Sequence, residues 1–242
     1  MQRFFVAADA VTDGIICLTG DNANHISFSL RMKRGDKISV CTPDSCVYGC
    51  TITDFQNGLV IAHIDDVSAC DTEPPYRVHL YQALPKGDKF DTIIQKAVEC
   101  GVYSVTPFES SRCIAKVGDS AEKKLARWNR IASEAAKQCG RGIIPQVLPV
   151  MTYSDMLKKA SDVSLPIFCY EERGCNKLGN VLLRGGDTIS VVVGAEGGFS
   201  EEEAQMAKSH GMILTGLGNR ILRCETASSF VLACISMVRE LS

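Results

Sequence analysis

The chain has 242 residues, of which 45% are hydrophobic and 22% are charged, and its formal net charge at pH 7 is −2. These values are typical of a globular protein with one large or two small domains, and they exclude disordered, collagen-like and globally cationic chains. No apolar run approaches the ~18 residues of a membrane span, and Asp9 interrupts the opening apolar stretch, so we expect neither a membrane protein nor a secreted one.

The first 70 residues are rich in short β-type segments separated by Gly, Asp, Asn and Pro. They predict strands at 3–6, 37–41, 46–55 and 59–64. Asn57-Gly58 predicts a hairpin turn between the last two, since both residues tolerate positive φ. A helix is expected over 22–32, capped by Asp21 or Asn22. This spacing indicates a small β-barrel, and the proline-stiffened residues 71–75 predict a domain boundary.

After residue 76, strand-like and helical segments alternate, which predicts an α/β domain with a largely parallel sheet. The expected strands are 77–84, 102–108, 166–170, 188–193 and 212–215, and the expected helices are 89–100, 121–140, 201–209 and 226–241. Ser200 and Glu203 have the spacing of a capping box at the third helix. Apolar residues at helical spacing in the last helix predict one buried stripe.

A glycine-rich turn follows the predicted strand at 188–193. Gly194, Gly197 and Gly198 precede the capped helix, and glycines at such a position let a ligand approach the backbone and its free N–H groups. The spacing matches neither the dinucleotide fingerprint nor a P-loop. The pattern fits a ligand-binding loop and an ordinary strand-to-helix turn equally well.

A second turn, at 217–227, also lies between a short apolar strand and a helix. Arg220, Arg223 and Glu225 crowd this otherwise apolar segment, and charged groups in such surroundings need partners. Two interpretations are open. An arginine and the glutamate clamp the loop as an ion pair, or an arginine binds a phosphate or substrate while the carboxylate accepts a proton.

A basic segment extends from Arg112 to Arg141, with eight basic residues against three acidic ones. The apolar residues of its predicted helix share one face with Trp128, so the charges are expected to project outward. Arg31, Lys33 and their neighbours form a second cluster. Solvated surface explains either cluster alone, but two of them in an acidic protein favour a polyanionic partner, with RNA as the first candidate.

Twelve cysteines and four histidines are present, but no Cys-x-x-Cys pair and no metal-type histidine spacing occurs. The tightest group is Cys41, Cys46 and Cys50, which lacks a nearby histidine. This pattern favours small buried thiols in a reducing cytoplasm over a zinc site, and no metal is expected.

In combination, the motifs resemble the RsmE family of bacterial 16S ribosomal RNA uridine-N3 methyltransferases, within the SPOUT superfamily. The resemblance extends through nearly the whole chain, and its last two motifs are the most specific. The motifs lie at 24–26, 30–32, 35–36, 95–102, 111–112, 134–141, 193–200 and 217–227. The chain departs from the family pattern at Phe28, Cys100, Lys137 and Ala195, where the family usually has Arg, Leu, Glu and Pro.

The resemblance implies an α/β protein with a PUA-like β-barrel for RNA binding at 1–72 and an α/β trefoil-knot domain at 76–242. It implies S-adenosylmethionine (SAM) as the cofactor, 16S ribosomal RNA or the small ribosomal subunit as the partner, and a cytoplasmic homodimer. A related methyltransferase acting on transfer RNA is the nearest alternative. A non-catalytic RNA-binding protein of the same fold is another, and a generic nucleotide-binding enzyme ranks last for want of a phosphate fingerprint.

We expect three sets of site residues: the SAM-binding set is implied by the resemblance, the RNA-binding set by the basic clusters, and the catalytic pair is our hypothesis. Catalysis would fall to Arg223, as the residue that steadies charge on the substrate, and to Glu225, as the base or the group that orients it. The residues expected to bind SAM are Tyr170, Gly194, Glu196, Gly197, Gly198, Leu217, Gly218, Ile221, Leu222 and Arg223. Those expected to bind RNA are Arg3, Arg31, Lys33, Arg112, Lys116, Arg127, Arg130 and Arg141.

Overall fold

The structure is a computed structural model that describes residues 1–114, 120–172 and 174–241. The chain divides into two compact units. One consists of residues 1–73 with 136–144, and the other of residues 74–135 with 145–242. Within the described stretches, none of the helices combines the length and the apolar character needed to cross a bilayer.

The first unit is built on a mixed six-stranded sheet. Its elements are β1 (Gln2–Phe5), β2 (Val11–Thr12), β3 (Ile15–Leu18), α1 (Gly20–Asn24), β4 (Lys37–Cys41), β5 (Cys46–Gln56) and β6 (Leu59–Ala69). The strand order is β1-β4-β5-β6-β3-β2, and every pairing is antiparallel except that of β1 with β4. Its core contains Phe4, Ile38 and Val60, all fully buried.

The predicted hairpin between β5 and β6 is confirmed. Asn57 and Gly58 have φ of 47° and 79°, the positive values that a two-residue hairpin turn requires. The helix expected over 22–32 is wrong in both bounds. It begins at Gly20, and after Asn24 the chain continues as a π-helical turn from His25 to Ser29. Asn22 does not cap it, because its side-chain amide donates to the carbonyl of Phe5, a tertiary contact invisible in the sequence.

The second unit is built on a sheet whose pairings are all parallel, as predicted. Its strands are β7 (Arg77–Ala83), β8 (Ser104–Glu109), β9 (Gln146–Val147), β10 (Met151–Thr152), β11 (Leu165–Cys169), β12 (Asn176–Lys177), β13 (Thr188–Val193) and β14 (Ile213–Gly216). The main path of the sheet is β10-β8-β7-β13-β11-β14-β12, and β9 pairs with β8.

Helices lie between these parallel strands and, in the case of α7, after the last of them. They are α2 (Lys89–Glu99), α3 (Ala121–Cys139), α4 (Tyr153–Ser161), α5 (Leu178–Leu182), α6 (Glu201–Ser209) and α7 (Cys224–Glu240). The Ser200–Glu203 capping box at α6 is confirmed in both of its hydrogen bonds. Trp128 is buried against Phe90, with ring centroids 4.6 Å apart, so its predicted core position is also confirmed.

The segment 136–144, at the end of α3, belongs to the first unit, and a buried ion pair holds it there. The Arg141 guanidinium donates to Glu73 Oε1 at 2.9 Å and to Oε2 at 2.6 Å, and the backbone N–H of Gly142 also donates to this carboxylate, at 2.8 Å. The side chain of Arg141 is only 5% exposed. The expectation that this residue projects outward from the basic segment is therefore wrong, because Glu73 draws it into the interior.

Candidate active site

A cavity of about 330 Å³ lies at the carboxyl ends of three parallel strands of the second unit. β11 ends at Cys169, β13 at Val193 and β14 at Gly216, and β11 pairs with both of the others. Because parallel strands end at the same edge of a sheet, the loops that follow them converge there. The cavity falls at the lower end of the range of small-molecule sites, ~300–1,000 Å³.

The cavity brings together the two turns that the sequence singled out, together with the end of β11. The residues expected to bind SAM that line it are Tyr170, Gly194, Glu196, Gly198, Leu217, Gly218, Ile221, Leu222 and Arg223. Gly197 and Glu225 are not among the lining residues. Gly197 turns its carbonyl away, to accept a hydrogen bond from Arg112 Nη1 at 2.9 Å.

The glycine-rich turn folds back on itself within five residues. A Cβ on Gly194 would lie 3.1 Å from the Cα of Gly198 and 3.2 Å from the ring of Phe199, so the turn has no room for a larger residue there. Gly198 has a φ of +60°, a conformation that other residues adopt only with strain. These two glycines therefore bring backbone directly to the cavity wall.

The second turn presents side chains to the other side of the cavity. Arg220 and Arg223 are exposed, and Ile221, also on the wall, is 85% exposed. Arg223 is the N-cap residue of α7 and makes no side-chain capping bond. An apolar side chain and two cations thus stand at the mouth of the cavity.

Glu225 lies in the first turn of α7, one residue beyond the cavity wall. Its own backbone N–H, which binds the carboxylate, is the main cause that lowers the pKa of Glu225 from its ordinary value, 4.5, and the nearby charges of Lys89 and Arg223 add to this effect. Partial burial opposes the shift without cancelling it. Cys224 Sγ donates to Glu225 Oε2 at 3.2 Å, and burial raises the pKa of Cys224 to about 12. At neutral pH the carboxyl is therefore ionised and the thiol protonated.

Lys89 is a cavity residue that the sequence did not indicate. Its Nζ lies 2.7 Å from Glu196 Oε1, and the backbone N–H of Lys86 donates to the same oxygen at 3.2 Å. Burial favours a higher pKa for Glu196, but these hydrogen bonds and the Lys89 charge outweigh it and lower that pKa. β7, which precedes Lys89, is a parallel neighbour of β13, so Lys89 reaches the cavity through a strand order that leaves no local signal in the sequence.

Three further lining residues lie near the predicted ones in sequence but were not among them. Glu171 extends the wall beyond Tyr170, Phe199 closes the glycine-rich turn, and Ala227 lies one turn into α7. Burial, followed by a hydrogen bond to Glu172, raises the pKa of Tyr170 to about 12, so its phenol is neutral. The cavity thus combines apolar walls with carboxylates and cations at its edge.

The residues expected to bind RNA fall into two groups. Some are occupied by contacts within the protein: Arg3 donates to the carbonyl of Gly140, Arg127 pairs with Asp91 and Asp88, and Arg112 donates to Gly197. Arg31 and Lys33 are exposed, and so is Arg130, 75% exposed and 3.7 Å from Glu134. Lys116 lies outside the described residues. Arg112 and Arg127 remain exposed despite these contacts, and among the described residues of this set Arg141 alone is buried.

Comparison with known proteins identifies the class of this site. A family model described as an RNA methyltransferase domain matches residues 72–236, which include every lining segment of the cavity. The ribosomal RNA small subunit methyltransferase E of Bacillus subtilis is 34% identical, in an alignment that covers 100% of this chain and 98% of the relative.

Two solved structures agree with this match. One is the crystal structure of a ribosomal RNA small subunit methyltransferase E from Neisseria gonorrhoeae bound to SAM, with 31% identity and a TM-score of 0.89 over 98% of each chain. The other is a methyltransferase of Legionella pneumophila in complex with SAM, with 26% identity and a TM-score of 0.87 over 98% of this chain and 97% of that one. The chain belongs to the ribosomal RNA small subunit methyltransferase E family.

Proposed function

We propose that the chain transfers a methyl group from SAM to N3 of a specific uridine in 16S ribosomal RNA. The observation that carries this proposal is the single cavity in which the glycine-rich turn, the 217–223 turn and the end of β11 meet. The family fits this assignment, since its members are named for methylating small-subunit ribosomal RNA and one of them was solved with SAM bound.

The cavity residues fit SAM in size and in chemistry. Leu217, Leu222 and Phe199 offer apolar surface for an adenine ring, and the closely packed Gly194 and Gly198 leave backbone accessible beside it. The Lys89–Glu196 pair places both a cation and a carboxylate at the wall, which suits the charged amino and carboxylate groups of SAM. When bound, SAM supplies a methyl group already activated by its sulfonium.

The chain's own contribution is alignment and proton removal. Holding the uracil N3 in line with the methyl group supplies much of the acceleration, and a positioned base adds about 10²–10⁴-fold. Glu225 is ionised at neutral pH, so its carboxylate can accept the hydrogen bond of uracil N3–H; because its lowered pKa makes it a weak base, the proton passes on to solvent. We assign it to that role, as the base or as the group that orients it.

We assign Arg223 the role of stabilising the negative charge that develops on the uracil when N3 loses its proton. Its side chain is exposed at the cavity mouth and makes no capping hydrogen bond to α7. A guanidinium there can donate to a uracil oxygen or to a neighbouring phosphate. Unstacking of the target base from folded RNA would bring it to this mouth.

The finer architecture also belongs to this proposal. We assign a PUA-like barrel to residues 1–72 and a SPOUT α/β knot to 76–242, and we place the protein in the cytoplasm as a homodimer. The exposed Arg31, Lys33 and Arg130 would contact RNA phosphates. Such contacts make binding weaken as salt is added.

The experiment that tests this function is mass-spectrometric mapping of uridine methylation in 16S ribosomal RNA from cells that lack the protein. We expect one N3-methyluridine to disappear and to return when the wild-type protein is supplied. Loss of a methyl group from transfer RNA would identify the transfer-RNA alternative. An unchanged methylation pattern, with SAM still bound by the purified chain, would indicate a binding protein without this activity.

A further inference from the structure

A buried polar pair lies behind the cavity wall. Gln82, the penultimate residue of β7, is fully buried, and Ser228, in the second turn of α7, is 1% exposed. Neither residue lines the cavity. Burying an amide and a hydroxyl costs free energy unless both are hydrogen-bonded, so such a pair in a core requires an explanation.

The Gln82 amide reaches the start of the glycine-rich turn. Its Nε2 donates to the carbonyl of Gly194 at 3.0 Å and to that of Ala83 at 3.0 Å. Gln82 pairs in register with Val193, the last residue of β13, so the Gln82 side chain lies beside the start of the glycine-rich turn. The amide therefore fixes the orientation of the first peptide group of the turn.

The other end of the Gln82 amide reaches α7. Ser228 Oγ lies 2.5 Å from Gln82 Oε1 and 2.9 Å from the carbonyl of Cys224, and both contacts use the one hydroxyl hydrogen. The contact with Cys224 is the i−4 bond that a serine makes within its own helix, so the link from Gln82 ends in the first two turns of α7, which directly follows Arg223. Gly194 and Cys224 are thus connected through two side chains, although they are 30 residues apart in sequence.

We propose that Gln82 and Ser228 are positioning residues that hold the two cavity-lining turns in the mutual geometry that SAM requires. This inference rests on the proposed function. Replacing both residues by apolar ones would remove the amide oxygen and the hydroxyl that need each other, but the carbonyl of Gly194 would lose its side-chain donor. Unlike an apolar core, the hydrogen-bond network fixes the orientation of the peptide group at Gly194 and of the start of α7.

The test uses the full chain and four variants: Ser228→Ala, Gln82→Met, the double variant of these two, and Ser190→Ala. Ser190 is the matched control. It is fully buried on β13, and its hydroxyl donates to the carbonyl of Ala160 at 2.5 Å, away from the cavity lining. The measurements are the Kd for SAM by calorimetry, urea unfolding, and hydrogen exchange of residues 194–198 in the ligand-free protein.

We expect both single variants to weaken SAM binding about tenfold, because a wall segment that is no longer held in place must be ordered when SAM binds, and to speed exchange in residues 194–198. Ser190→Ala should lower the urea midpoint without either effect. The double variant should regain stability relative to Ser228→Ala, because Gln82 Oε1 is no longer buried without a donor, yet it should bind SAM as weakly as the single variants.

The inference is overturned if the single variants bind SAM and exchange as Ser190→Ala does, or if the double variant recovers affinity together with stability. Either outcome would mean that Gln82 and Ser228 contribute to stability only and do not position the turns. A wild-type chain that takes up no SAM would instead refute the proposed function, and the exchange rates of the ligand-free variants would then decide whether the network positions the turn.

Discussion

The two turns at the cavity and the basic segment 112–141 carry the strongest functional signals of the sequence. In the structure, the turns form one site, whereas some charges of the basic segment are paired within the protein. The turns converge on one cavity, where Arg220 and Arg223 remain exposed. In the basic segment, Arg141 is buried against Glu73, and Arg127 pairs with two carboxylates. Turns at a binding site can thus be inferred from glycine spacing between a predicted strand and helix, whereas the role of a charged residue cannot be assigned until its partners are known.

The largest effect is expected at the turn that begins α7. Arg223→Ala and Glu225→Gln should each lower the single-turnover rate of RNA methylation at saturating SAM by about 10²–10⁴-fold, because alignment and proton removal depend on them. Glu122→Gln, which changes an exposed acid in the first turn of α3, is the matched control and should leave the rate unchanged. Rates within twofold of wild type for both variants would remove these residues from the mechanism.

The next largest effect concerns the stability of the first unit. Arg141→Met leaves the Glu73 carboxylate half-buried without its partner, and we expect a loss of about 3–5 kcal/mol in the free energy of unfolding. Arg130→Met, an exposed change on the same basic segment, should alter it by less than about 0.5 kcal/mol. Urea unfolding measures both. Equal effects would show that the ion pair is not what holds this segment.

The same pair makes stability depend on pH. Burial favours a higher pKa for Glu73, but hydrogen bonds and charge from Arg141, with N–H groups of Gly142 and Ile143, lower it below the ordinary 4.5. A carboxyl whose pKa is lower in the folded state contributes stability above its unfolded pKa and loses that contribution as the pH falls through the folded pKa.

Unfolding of the wild type and of Glu73→Gln, compared at about pH 6 and about pH 3, isolates this contribution. The difference between the two proteins should be large at the higher pH and should shrink at the lower one. A constant difference would mean that the Glu73 charge does not stabilise the fold.

Predicting the fold from sequence succeeded where local chemistry determined the element. β13 and α6 have the bounds that the sequence predicted, because a buried apolar run and a capping box mark their limits. The helices α4 and α5 were not predicted, although Thr152 caps α4 locally. The two-residue strands β9, β10 and β12 were not predicted either, since strands so short are defined by their neighbours in the sheet.

The residues of the site also differ in whether local sequence or long-range contacts place them. The glycine turn and the 217–223 turn could be found from residue type and spacing, whereas Lys89 reaches the cavity only because β7 lies beside β13. Arg141 was misassigned because its partner, Glu73, lies 68 residues earlier in the chain. Long-range pairings of this kind leave no local pattern.

The smallest effect is expected on the exposed basic surface. Arg130→Ala should lower affinity for 16S ribosomal RNA fragments and reduce the salt slope by about 1, as for loss of one phosphate contact. Arg127→Ala, which removes a side chain already paired with Asp91, should change the slope less. Filter binding at several salt concentrations measures this difference. The reverse order would mean that RNA displaces the Asp91 pair.

The central claim is that the two turns form one SAM site, and a crystal structure of the chain grown with SAM tests it most directly. We predict density for the whole ligand between Gly194–Phe199 and Leu217–Cys224, within hydrogen-bond distance of backbone from both turns. Ligand bound elsewhere on the molecule, or in contact with one turn alone, would contradict the account.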